Sequence, residues 1–143
     1  MTAHNAVSPF IHRFYDEAMA LLVEWRSVVA YKSTEKDFLP TQEAKLTFAT
    51  HSLDLTTGLA HLMGWVLARR AVAAGEIAPS DVFAPRFAQA RHNPLLLNGA
   101  NHLTTPGMPS AYHDILKRTL ALSERAKRLE EVELARLTET ASV

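Results

Sequence analysis

A chain of 143 residues fits one domain, and a fold of that size hides roughly two-thirds of its unfolded surface. Fifteen Lys plus Arg balance fifteen Asp plus Glu, so no cationic field gathers phosphate backbones, and nucleic acid is excluded from the expected partners. Cys is absent, which removes disulfides, thiolate metal sites and cysteine nucleophiles; with an amino terminus, MTAHNAVSPF, that has no basic run and no signal segment, this points to the cytoplasm.

Ser8-Pro9 reads as an N-cap followed by proline at the first helical position, where the missing N–H costs nothing. From there Ile11, Phe14, Ala18, Leu21, Trp25 and Val28 recur at spacings of three and four, with Tyr15, Leu22 and Val29 widening the stripe. Arg13, Asp16, Glu17, Glu24 and Arg26 take the other face. The expectation is an amphipathic helix over about residues 9–30. Tyr31 to Pro40 breaks the pattern and reads as a connection, because the residue before a proline is pushed out of the helical region.

Thr41 is an N-cap candidate for a second helix, expected over about residues 41–74. Two apolar seams run along it. Leu46, Ala49, Leu53, Thr56, Ala60, Met63 and Leu67 form one; Phe48, Leu55, Leu59, Leu62 and Val66 form the other. A face that wide needs two neighbours, either the other helices of a three-helix bundle or a hairpin partner plus another subunit. Leu53, Leu59, Met63 and Leu67 are assigned to packing. The longest strongly apolar run, Leu59 to Ala68, is far short of the ~20 residues that cross a bilayer, and Arg69-Arg70 closes it. Arg69 and Arg70 also suit the negative end of the helix dipole, and Gly75 suits a left-handed C′ position. Gly58 and Gly64 each cost a helix interior about 1 kcal/mol relative to Ala, which close approach of another helix would offset. Trp25 and Trp65 read as core anchors or as hot spots for a partner.

Residues 78–109 hold five of the seven prolines and two of the five glycines and read as a long loop, with a short helical turn at 81–90. A third helix is expected over about residues 110–138, with Tyr112, Ile115, Thr119, Leu122, Ala126, Leu129 and Val132 as its seam. Its other faces carry six acids and six bases between Asp114 and Glu139, a solvated surface with pairs such as Glu124 to Arg128 at i, i+4 spacing. The fold class is therefore all-α: a single domain over residues 1–143, an antiparallel three-helix bundle with a long loop between its second and third helices.

Seven histidines raise the question of a metal. Yet His51 and His61 lie about 15 Å apart along one helix, and His92, His102 and His113 follow no HxxxH or HExxH spacing. No GxSxG context or phosphate-binding glycine loop occurs, and Asp54, alone in mid-helix, has no evident acidic mate. No catalytic residue, cofactor or metal is assigned.

Three segments carry a family likeness: FYDEAMALLVEWRS (14–27), THSLDLTTGLAHLMGWVLARRAVAAGEI (50–77) and LKRTLALSERAKRLEE (116–131). In order and spacing they resemble the signature segments of the alphaproteobacterial regulator-of-CtrA-degradation (RcdA) family, of DUF1465 type. The sequence departs from that pattern at Gly58, where the family has Arg, and at Ser123, where it has Tyr. The resemblance implies a cytoplasmic, homodimeric three-helix bundle. It also implies a non-enzymatic adaptor that helps deliver cell-cycle regulators to the ClpXP protease, with ClpX or its primed complex and protein cargo as partners. Contacts to those partners are then sought at Arg69, Arg70 and Glu76, and at Arg125 and Arg128. The rival reading is a small-molecule-binding or enzymatic helical domain with a pocket near residues 78–109, where His92, His102 and His113 converge.

Overall fold

The computed structural model describes residues 2–32, 41–83, 93 and 108–142. Among them are three long α-helices and no strand: α1 (Thr2–Lys32), α2 (Gln42–Ala73) and α3 (Ser110–Ser142), with a short 3-10 turn at Pro79–Phe83. The three-helix bundle expected from the periodicity is the observed fold.

Helix ends follow local chemistry. Thr41 is extended (φ −117°, ψ 159°) and its hydroxyl accepts the Ala44 N–H at 3.0 Å, so α2 starts where the cap residue allows. At the other end Gly75 is left-handed (φ 76°). The N–H of Gly75 donates to Val72 and that of Glu76 to Ala71, the paired 5→2 and 6→1 bonds of a Schellman cap. The first helix differs from expectation: it begins at Thr2, so Pro9 lies inside it and has no N–H for the carbonyl four residues back. Ser8-Pro9 marks the start of the amphipathic pattern, while the backbone turns helically before it.

The core is built from one row of each helix. Ile11, Phe14, Ala18, Leu21 and Trp25 from α1 meet Leu55, Leu59, Leu62, Trp65 and Val66 from α2, and Tyr112, Ile115, Leu116, Leu122 and Ala126 from α3. The two tryptophans are core residues, and Phe14 meets Trp65 edge-on at 5.0 Å between centroids.

Cross-helix contacts define the chain directions. Trp25 near the end of α1 lies against Phe48 of α2 and Tyr112 of α3, whereas Phe14 lies against Trp65. Thus α1 runs antiparallel to both other helices. His51 pairs with Tyr112 and Arg69 with Glu133, so α2 and α3 run parallel to each other. The 36 residues between Ala73 and Ser110 therefore make a return from one end of the bundle to the other. Ser110 stands near the level of residue 49, 24 residues below the end of α2, a climb of about 36 Å.

One residue of that return is fixed in the core. Asn93 is fully buried, and its side-chain N–H₂ donates to the Ser123 hydroxyl at 3.2 Å and towards the Gly58 carbonyl at 3.5 Å. Gly58 and Ser123, the two departures from the resembled pattern, thus meet at one buried amide. Buried polar groups are ordinarily paired, and this one links both parallel helices at mid-height. The rest of the expected 81–90 turn, beyond Phe83, falls outside the described residues.

Candidate functional site

The two seams of α2 have different fates. Leu55, Leu59, Leu62 and Val66 are fully buried and Phe48 packs against them, as the periodicity implied. The other seam turns away from the bundle: Leu46 is 70% exposed, Leu53 66% and Leu67 50%. The assignment of Leu53 and Leu67 to packing is corrected here, since one chain leaves both uncovered; Leu59 is buried and Met63 half-buried. The physical reason is count. With α1 and α3 on adjacent sides of α2, none of the described helices lies on the far side.

Ala49 and Ala60 lie exposed on the same outward stripe, and a Cβ placed on Gly64 meets nothing within 4 Å. The stripe spans 21 residues from Leu46 to Leu67, about 32 Å. Asp54, the one acid within that span, is half-buried on the bundle side, where its charge acts on Tyr112. Large contiguous apolar surface of this kind marks interaction sites.

Three of the arginines picked out from the sequence surround a single aromatic knot. Arg69 is only 6% exposed; its Cζ lies 3.9 Å from the Trp65 ring centroid, and its guanidinium donates to both Glu133 carboxylate oxygens at 3.0 and 3.3 Å. Arg70 is exposed and lies over Tyr15 at 4.7 Å. Arg125 lies over Phe14 at 5.6 Å and donates to Glu17. Arg69 thus faces α3, while Arg70 and Arg125 flank α1 on its two sides. Glu76 is exposed just past the Schellman cap, and Arg128 is exposed on α3, away from the knot.

At the other end of the bundle sits a polar cluster that helix periodicity did not reveal. Tyr112 is fully buried, its hydroxyl is 3.2 Å from His51 Nδ1, and His113 stands edge-on to its ring. Burial raises the Tyr112 phenol well above its ordinary 10, with the charge of Asp54 adding to the effect. The phenol is therefore neutral at any physiological pH and shares one hydrogen bond with the imidazole. Trp25 donates its indole N–H to Thr56 at 3.1 Å, tying α1 to α2 beside this cluster. His12 lies near Asp16 on the exposed side of α1. Among the described residues no three His, Asp or Glu side chains are grouped to hold a metal ion. His92 and His102 lie outside the described residues, so the convergence with His113 has no geometry to describe. Among the described residues no helix is long and apolar enough to cross a membrane.

No curated protein and no solved structure matches the chain. The sequence profile of a family described as a protein of unknown function, DUF1465, matches residues 2–142. With all but the terminal residues of the chain covered, this protein belongs to the DUF1465 family.

Proposed function

We propose that this protein is a non-enzymatic adaptor that helps deliver cell-cycle regulators to the ClpXP protease and works through its surfaces in the cytoplasm. One observation supports it: the outward stripe of α2, where Leu46, Leu53 and Leu67 lie exposed on a helix whose other side fills the core. A soluble domain spends stability to keep such a row in water, and binding to another protein is the ordinary return. The resemblance of segments 14–27, 50–77 and 116–131 to the regulator-of-CtrA-degradation family supplies the identity of the protease system.

Tethering raises the effective concentration of cargo at a protease and needs stable docking surfaces rather than a reactive group. Arg70, Glu76 and Arg128 are exposed on the bundle and suit contacts with protease-associated factors or cargo. Arg125 belongs to the same surface, but its pair with Glu17 must open before it serves a partner. Arg69 acts from beneath, holding the end of α2 against α3.

The test is a degradation assay with ClpXP and candidate regulators, paired with capture of ClpX on the purified protein. Addition of the protein should shorten the half-life of at least one regulator, and its deletion should lengthen it in cells. Unchanged half-lives in both settings would remove the adaptor reading.

A further inference from the structure

The seam between α1 and α3 is a ladder that changes chemistry along its length. Arg118 of α3 donates to Glu24 of α1, and Arg125, seven residues on, donates to Glu17, seven residues back. Seven residues are close to two turns, so one more step keeps to the same edge of each helix and brings Phe10 level with Val132. Both are open to water there, 60% and 47% exposed. The third rung is apolar where the first two are ion pairs.

Charge changes along the same edge. At the Glu24 end two acids, Glu24 and Asp114, share one cation, Arg118, and the Glu17–Arg125 rung is balanced. Beside the apolar rung cations are in excess. Arg13, one turn from Phe10, lies over its ring at 5.8 Å, and Arg128, about one turn from Val132, is exposed on α3. Among the described residues neither guanidinium is paired with an acid, and the i, i+4 pair of Arg128 with Glu124 expected from the sequence is not formed. The register of the ladder sets Arg13 level with Leu129, so Arg13 and Arg128 stand on the two banks of one stretch of seam, on helices whose axes are about 8–10 Å apart.

We infer that this end of the α1–α3 seam docks an acidic segment of a partner protein, one in which at least two carboxylates stand next to a bulky apolar side chain. The carboxylates meet Arg13 and Arg128, and the apolar group covers Phe10 and Val132. The inference deepens the adaptor reading and rests on it: it gives the chemistry of one partner and places it away from the outward stripe of α2. Charge complementarity selects this occupant. Guanidinium forks match carboxylates in shape, and an exposed aromatic beside arginine is the ordinary make-up of an interface core. A nucleic-acid strand carries its charge onward at every step and would run into Glu17, Glu24 and Asp114 along the same seam, whereas a short peptide ends before them.

The test uses the full chain and synthetic peptides read by fluorescence anisotropy. The probe is a labelled GSDELFDEGS peptide with blocked ends; its counterparts are GSNQLFNQGS, without the charges, and GSDEGSDEGS, without the apolar pair. The probe should bind at low salt with a Kd on the order of 10–100 μM, and each counterpart at least about tenfold more weakly. Arg13→Glu, Arg128→Glu and Phe10→Ala should each weaken the probe about tenfold, with helical circular dichroism unchanged. Arg26→Glu makes the same charge reversal at an exposed arginine about 200° round α1 from Glu24, and it should leave binding as it was. Failure of the probe to bind overturns the proposal, as does an uncharged counterpart that binds equally well, equal weakening by Arg26→Glu, or tighter binding of a single-stranded oligonucleotide. Should Phe10→Ala unfold, the two seam arginine reversals decide alone. Probe binding with unchanged regulator half-lives would remove the adaptor role and keep the site; half-lives shortened by the wild type and by Arg128→Glu alike, with no probe binding, would do the reverse.

Discussion

Arg69 was legible as a helix-end cation, but its burial was not, because the partner that permits it lies 64 residues away on α3. A guanidinium that is only 6% exposed needs Glu133 and the Trp65 ring face to replace water. Removing the acid strands the cation. Glu133→Ala should lower unfolding stability by about 2 kcal/mol, discounted from fully buried pairs because Glu133 is itself 28% exposed, and urea titration reads the loss. A loss below about 0.5 kcal/mol would make the pair an ordinary surface contact. The same limit hid Asn93: an amide in a proline-rich stretch has no periodic signal, and its partners, the Gly58 carbonyl and the Ser123 hydroxyl, sit on two different helices.

The rows of α1 and α3 were readable because each helix has one apolar side, and Ile11 to Trp25 and Tyr112 to Ala126 are buried as their spacing implied. Helix α2 has two, so periodicity marked both seams without ranking them. Trp65 settles the inward side. Its ring fills the space between Phe14 and Arg69, which places Leu62 and Val66 inward and Leu53 outward. Ion pairs join α1 to α3 along their exposed edge. Arg118 donates to both Glu24 oxygens at 2.7 Å and to Asp114 at 2.9 Å, and this hydrogen bonding holds the Glu24 carboxyl below its ordinary 4.5. A carboxylate depressed in the folded state stabilises above its ordinary value, and the contribution is lost as pH falls through the folded value. Because both side chains are nearly half exposed, the effect is small, ~0.5 kcal/mol. Glu24→Gln should lower stability by that amount at pH 7 and flatten the acid limb below pH ~4.5, measured by melting at several pH values. An unchanged acid limb would assign the sensitivity to other carboxylates.

The arrangement of the whole molecule was half legible. Three helices and a long break were visible in composition; the parallel course of α2 and α3 was not, since no residue pattern states direction. The length of the break nevertheless contained the answer. Antiparallel neighbours need only a short turn, whereas parallel ones need a connection that climbs back, here about 36 Å. Replacing residues 76–109 by a short turn should abolish cooperative thermal unfolding of the monomeric bundle, because Arg69 and Glu133 could no longer meet; a retained melt would contradict the parallel course.

The parallel course also orders events during folding. Nine residues join α1 to α2 and 36 join α2 to α3, two doublings of loop length that add about 1.2 kcal/mol of closure entropy. The α1–α2 hairpin is the local unit and forms early, with α3 docking last. Glu133→Ala should then leave the refolding rate nearly unchanged and accelerate unfolding, which stopped-flow kinetics can separate; a slowed refolding phase would place α3 in the nucleus. The outward stripe of α2 belongs wholly to the early hairpin, on the side α3 never covers. The exposed leucine row of Leu46, Leu53 and Leu67 is thus in its final helical form before the bundle core closes over the inward side of the same helix.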